Sequence, residues 1–488
     1  MFENVDLWLT PIWLLSVGTT LGALVLAVLY GLLWLVNRKA ASAAVTLVSE
    51  GVLMPIVYLI GLMAVLAVLL APRMPLESVT DALGRLPAVG TTETSVTVPA
   101  REVDYALPVS FVSEEMLNYS LSSDQDVRVT AAEGEAYSNA IAVVQGDVPY
   151  DWNTKSKTRR GFAGPVETIY LTNEGDAPAE VTFTYKTEVR LPQVRRVPLV
   201  AASVVGLALV YLGLQWLLPG IANIAVATSK EAIGQPMFLL FTIGGAVALI
   251  AFIFVPYNTF GEDVKMLKDS GLSTVMVLAI LFAVWTASVS IADEIEGKTA
   301  LTLLSKPISR RQFILGKYVG ILWSVLVIFV LLGALLMATI SVKVVYDARE
   351  SSNPTPDWQL CHSEMIGIVP GLVLSFFEAA VLTAISVAIS TRLPMLPNLI
   401  ICGSIYVLGH LTPLLVQSSV GQNEFVAFFG RLVSIVLPML DHLNIQAAIA
   451  GGQPVPFVYL AWTGLYTVIY VTVAMLLALI LFEDRDLA

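Results

Sequence analysis

Asp293-Glu-Ile-Glu-Gly-Lys-Thr-Ala-Leu-Thr-Leu-Leu-Ser-Lys-Pro-Ile-Ser-Arg-Arg-Gln-Phe-Ile-Leu-Gly-Lys317 is a polar island between two long apolar runs. Acids lead it (Asp293, Glu294, Glu296) and bases follow (Lys306, Arg310, Arg311, Lys317). Glu294 and Lys298 stand four apart in the order that supports a helix. Pro307 interrupts that helix and pushes Lys306 towards extended geometry. Ser309 and Gln312 have the capping-box spacing, which starts a new helix into the following apolar run. The island therefore reads as a helix end over 293–304 and a turn over 305–313, a short folded knob rather than a linker.

The runs around it decide the class. The chain has 488 residues, 56% hydrophobic and 13% charged, against about one quarter charged in an ordinary globular protein. Its mean hydropathy is +0.78, and the apolar residues form blocks of about 20 residues, long enough to cross a bilayer. A polytopic α-helical membrane protein follows. The net charge of −11 offers no basic footprint for nucleic acid. Two cysteines exclude a disulfide framework or a Cys-built zinc site, and three scattered histidines make a His-built metal site improbable. Cys361 reads as part of a polar loop, and Cys402 as part of an apolar run.

Nine spans are expected, at about 7–36, 52–71, 198–218, 237–255, 272–292, 318–345, 366–390, 396–415 and 457–482. Glu3 and Asp6 precede the first and Arg38 and Lys39 follow it, the reverse of a secretory signal. The charge rule then puts the N-terminus outside and the island, Arg392 and the C-terminus inside. The stretch 425–440 is apolar but short and broken by Arg431 and Pro438, and reads as re-entrant or interfacial. Pro370 and Pro397 read as kinks. Residues 72–197 contain no span. Ser95-Val-Thr-Val98, Val127-Arg-Val-Thr130, Thr168-Ile-Tyr-Leu171 and Val181-Thr-Phe-Thr-Tyr185 alternate with the period of half-buried strands, with a turn at Asn173-Glu-Gly-Asp176. An extracytoplasmic all-β sandwich is expected there. The domain plan is two helices (1–71), the β domain (72–197), a third span with a connector that has room for a short interfacial helix (198–235), and a six-helix core (236–488).

Chemistry is sparse. Gly297-Lys298-Thr299 ends like a phosphate-binding loop, but the leading glycine is missing and three carboxylates occupy the cradle. Nothing else in the chain resembles a nucleotide site, so any ATP would be handled by another polypeptide. Glu378 is an acid inside a span, which marks a polar path, a proton site or a buried hydrogen bond between helices; His410, on the next span, is the other intramembrane polar candidate. Neither G-x-S-x-G nor H-E-x-x-H occurs, so an intramembrane enzyme built on Glu378 is the weakest functional class.

Glu294-Ile-Glu296, Thr299, Leu303-Leu-Ser-Lys-Pro-Ile-Ser-Arg310 and Ile314-Leu-Gly-Lys317 resemble the cytoplasmic loop of type-2 ATP-binding-cassette transporter permeases. Gly297-Lys298 departs from the usual base-then-glycine order. Residues 261–272 and the tail Asp484-Arg-Asp-Leu487 also look like that family, and the likeness covers about 220–488, leaving 1–218 unexplained. The resemblance implies six helices forming half a pore. It also implies a loop that docks on a separate cytoplasmic ATPase holding ATP and Mg, and a second permease half, a homodimer being the simplest case. Glu294, Glu296, Thr299, Ser305, Lys306, Pro307, Ser309, Arg310, Arg311, Gly316 and Lys317 would be the coupling residues. No cofactor is expected in this chain. The expected setting is a bacterial inner membrane. The leading function is the permease subunit of an ATP-driven exporter. The alternative is a mechanotransmitter that moves the outer β domain to control an envelope partner.

Overall fold

The computed structural model describes residues 5–49, 52–135, 137–156, 161–255, 257, 262–296, 308–417, 428 and 437–483. The chain divides into two compact units, residues 75–196 and the remainder.

The smaller unit begins with helix α4 (Leu76–Arg85) and continues as eight strands: β1 (Thr91–Val98), β2 (Tyr105–Val112), β3 (Met116–Ser123), β4 (Val127–Thr130), β5 (Ala142–Val144), β6 (Tyr150–Asn153), β7 (Pro165–Asn173) and β8 (Ala179–Thr187). They form two antiparallel sheets, ordered β1-β8-β3-β6 and β2-β7-β4-β5. Alternation fixes the inward face. In β8, Ala179, Val181, Phe183 and Tyr185 are buried while the residues between them are not. They meet Leu107, Phe111, Leu121, Val129 and Ile169 in one core. The β7–β8 turn is held by Asn173, whose amide donates to the carbonyls of Val98, Pro99 and Ala177. Arg85 clamps α4 to the loop before β3 through paired bonds of 2.7 Å to Glu115.

The larger unit is helical: α1 (Val5–Val36), α2 (Arg38–Ser49), α3 (Met54–Leu70), α5 (Arg196–Leu217), α6 (Pro219–Gly234), α7 (Pro236–Phe254), α8 (Asp263–Ala287), α9 (Arg310–Glu350), α10 (Trp358–Gly367), α11 (Val369–Ser390), α12 (Met395–Gln417) and α13 (Phe457–Glu483). Among the described residues, eight helical stretches are long and apolar enough to span a membrane. The ninth expected span falls on α12, whose apolar stretch Met395–Leu411 is shorter. The protein is an integral membrane protein with an inserted β domain. Burial sorts the helices: 67% of the spanning window of α8, 56% of α9 and 67% of α10–α11 is buried, against 6% for α3 and 17% for α5. Thus α8, α9 and α11 are the core, and α3 and α5 lie at its edge.

Some local expectations change. The expected 366–390 span is α11, which follows α10 after a break at Ile368; Pro370 occupies the first turn of α11, where a missing N–H is harmless. Pro397 likewise lies in the first turn of α12. Both prolines start helices rather than kink them. Cys361 is not in a loop; it is completely buried in α10, because Cys361 and Met365, one turn apart, share the inward face. Both cysteines are free and buried. The stretch 425–440 lies outside the described residues except for Phe428 and 437–440.

Candidate functional site

The described flanks of the island are closely tied together. After α8 the chain makes a π-helical turn, Ser288–Ala292, and one α-helical turn, Asp293–Glu296. Residues 297–307, hence Thr299, Ser305, Lys306 and Pro307, and the side chain of Glu296, lie outside the described residues. On the far side, Ser309 caps α9: its Oγ accepts from the Gln312 N–H at 3.2 Å, and Gln312 Oε1 accepts from the Ser309 N–H at 3.0 Å. Two turns on, Lys317 is buried and donates to Glu294 Oε1 at 2.6 Å. Residues 294 and 317 thus form the neck of the island. Burial pushes the Glu294 carboxyl above its ordinary range, although Lys317 pulls the other way; Glu231 adds a further upward push. A cavity of about 300 Å³ lies beside the pair, bordered by Asn223, Thr228, Glu231, Phe313 and Ile308.

Gly316 lies at a close helix crossing. A Cβ there would lie 2.6 Å from Ile224 Cβ, and one at Gly320 would lie 2.6 Å from the Ala225 carbonyl oxygen. The two glycines, four apart, let α6 approach the backbone of α9 closely, as small residues do at helix crossings in membranes. Ser229 of α6 completes the seam by donating to the Gly320 carbonyl at 2.7 Å. The helix predicted as interfacial is therefore fastened along α9.

Arg310 and Arg311 part company. Arg310 donates to the Glu483 carbonyl at 2.9 Å and lies over the Phe482 ring, and Phe482 in turn stacks on Phe313 with centroids 5.6 Å apart. A cation on the last carbonyls of α13 is a favourable C-terminal cap. Arg311 is exposed.

Glu378 and His410, picked separately from the sequence, are brought together. Glu378 is completely buried on α11, and its Oε1 is 3.4 Å from His410 Nε2 on α12. Neither carboxylate oxygen receives a hydrogen bond. His410 Nδ1 lies 3.0 Å from the Tyr406 carbonyl, and Asn444 Nδ2 lies 3.2 Å from Nε2.

Three other buried polar groups were missed by sequence reasoning. Asn398, completely buried, donates to Ser288, Ser386 and Ser390 at 2.8–2.9 Å, anchoring the π turn to α11 and α12. Lys268 on α8 pairs with Glu364 on α10, and Lys343 on α9 pairs with Asp263 at the start of α8 at 3.3 Å. The signal was present for Lys343, a lone base in an apolar run.

Residues 194–487 match the family model described as ABC-2 family transporter protein. No curated protein matches the chain significantly.

Proposed function

The chain belongs to the ABC-2 family of transporter proteins, membrane subunits of ABC transporters, and from that premise we propose that it is the permease of an ATP-driven exporter coupled to a separate cytoplasmic ATPase through residues 293–317. One observation carries the coupling assignment: the island runs directly into a single helix, α9, of 41 residues, about 62 Å at 1.5 Å per residue. That exceeds the roughly 30 Å of hydrocarbon in a bilayer, so a push on the island is delivered to the whole depth of the core. The Glu294–Lys317 pair and the Ser309 cap make the neck stiff enough to transmit it. Arg311 is the cation best placed for charge-assisted contact with acidic groups on the ATPase, whereas Arg310 holds α13. No catalytic role is assigned to this chain; hydrolysis, ATP and Mg belong to the partner. A second copy completes the pore, and the inner membrane of a bacterium with the β unit outside suits the charge distribution.

The test is co-purification with the cognate ATPase. Arg311→Glu abolishes it while Arg310→Gln, which keeps a donor for Glu483, leaves it largely intact. Wild-type capture by Arg311→Glu removes this surface from the docking assignment.

The separate β unit with its own core favours a second reading, in which ATP hydrolysis repositions that unit to control an envelope partner. Deleting 75–196 distinguishes the two: an exporter keeps ATP-dependent transport, while a transmitter assembles but loses all output.

A further inference from the structure

We infer that Glu378 and His410 form a proton-binding site inside the helical unit, with the proton resident on Glu378. The orientation of each polar group follows from its neighbour. The Gln446 backbone N–H donates to Asn444 Oδ1 at 3.3 Å, which fixes the amide and turns its nitrogen towards His410 Nε2. That nitrogen can only donate, so Nε2 accepts. On the other side of the ring, Nδ1 faces the Tyr406 carbonyl, which can only accept, so Nδ1 carries the hydrogen. The imidazole is thus neutral, with a lone pair on Nε2.

Glu378 Oε1 looks at that same lone pair from 3.4 Å. An ionised Glu378 would be a fully buried charge with no donor on either oxygen and an acceptor in front of it, an arrangement that burial away from water strongly disfavours. One proton resolves it: the acid O–H turns towards Nε2, sharing that lone pair with the Asn444 amide as a bifurcated acceptor, and the buried charge disappears. Among the described residues, His410 is the only base within ion-pair distance of Glu378. Other titratable groups stand on the described helices around it. Tyr406 of α12 lies with its ring 4.7 Å from that of His410. Tyr318 of α9 donates to the Ala380 carbonyl, Tyr466 of α13 accepts the Met439 N–H, and Lys268 of α8 is paired with Glu364. A metal ion is a poor alternative occupant, since hard cations take six or more oxygen ligands and this gap offers one oxygen and one nitrogen.

The site is closed but not isolated. Beyond Asn444, Gln446 accepts from Ser273 of α8 at 2.7 Å and donates to Ser375 of α11 at 3.4 Å. Ser375 lies about one turn before Glu378. This polar row runs from the pair towards the ends at which α8 and α11 begin. Release of the proton requires that the α11–α12 seam open to water along it, which links the proton to the helix movements of the permease without depending on what the permease carries.

The experiment uses the full-length chain in phosphatidylethanolamine–phosphatidylglycerol vesicles. With three histidines in the chain, ¹⁵N-histidine spectra are assignable by His362→Gln and His442→Gln. With the proton on Glu378, the His410 ring gives the ¹⁵N pattern of the Nδ1–H tautomer, the one its contacts with Tyr406 and Asn444 select. Infrared spectra show a non-ionised carboxylic carbonyl that shifts in D₂O and is lost in Glu378→Gln. A doubly protonated His410 at neutral pH, or superimposable wild-type and Glu378→Gln spectra, overturns the proposal. The histidine measurement needs no variant of Glu378, so a Glu378→Gln chain that fails to fold still leaves a decision. Neither readout involves ATP or a partner, so failure here is separate from failure of the permease reading.

Discussion

Replacing Lys317 with Met tests the neck of the island most directly. The Lys317 side chain is 4% exposed and that of Glu294 20%, so this is not an exposed pair worth about 0–1 kcal/mol. Methionine keeps the apolar stem beside Phe313 and removes the cation. Glu294 must then stay ionised without Lys317 or take a proton. Protonation at pH 7 costs about 1.4 kcal/mol for each unit above an ordinary glutamate value of about 4.3, or about 3.7 kcal/mol in all, which caps the loss. Burial already lifts Glu294 in the wild type, so the increment due to losing Lys317 is smaller, about 2 kcal/mol.

The sign with pH is the sharper part. A carboxyl held above its unfolded value contributes stability that is complete at acid pH and is lost as pH rises through the raised folded value. Lys317→Met exaggerates that loss, so its deficit is largest at neutral pH. At pH 5 the ceiling falls to about 1 kcal/mol. Adding Glu294→Gln removes the stranded carboxylate, and the double variant recovers most of the stability at neutral pH. Thermal unfolding of the full chain in lipid nanodiscs at the two pH values measures this. A Lys317→Met midpoint equal to wild type at both, or a deficit that grows on acidification, refutes the reasoning.

Gly320→Ala places a methyl 2.6 Å from the Ala225 carbonyl oxygen and lowers stability by about 1–3 kcal/mol; Gly403→Ala, with nothing within 4 Å, leaves the melting midpoint unchanged. Asn398→Leu removes the donor shared by three buried hydroxyls and costs about 2–3 kcal/mol. Hydrogen exchange over 288–292 rises with it, and unchanged exchange there counts against the anchor. Arg85→Met strands Glu115, whose side chain is 5% exposed. Because Arg85 itself is 36% exposed, the cost is at the low end for a buried pair, about 2 kcal/mol, read as faster trypsin cleavage within 75–196.

Spans and strands were legible because each is a local pattern. An apolar block such as 237–255 needs no partner to declare itself, and Val181–Tyr185 alternates on its own. The Ser309–Gln312 cap was equally local. What escaped were contacts between distant segments. Gly316 sits inside the Gly-Lys of the coupling motif, yet its role is set by Ile224, almost a hundred positions earlier. Lys317 and Glu294 were both singled out, but the spacing put Glu294 with Lys298, because helical neighbours are visible in sequence and cross-island neighbours are not. Glu378 and His410 were found as two oddities; reading their pair needed Asn444 and Gln446, neutral residues at the start of the short helix Gln446–Ala450 that carry no signal of their own.

The two ends of α9 bear on how a stroke at the island would be used. From Ser309 to Lys343 is 34 residues, about 51 Å of helix, and the interval contains no proline, the commonest cause of a sharp kink. Bending is therefore a poor way to absorb a displacement applied at the neck. Sliding is also resisted, because Gly316 and Gly320 let α6 pack closely on α9 and the Ser229 hydroxyl donates to the Gly320 carbonyl. At the far end Lys343, with no exposed surface, donates to the Ile253 carbonyl at 3.2 Å and to Asp263. Parting a buried cation from those acceptors would cost several kcal/mol. The cheaper response is for α6, α9, the end of α7 and the start of α8 to move as one body. Yielding then falls on the seams without such locks.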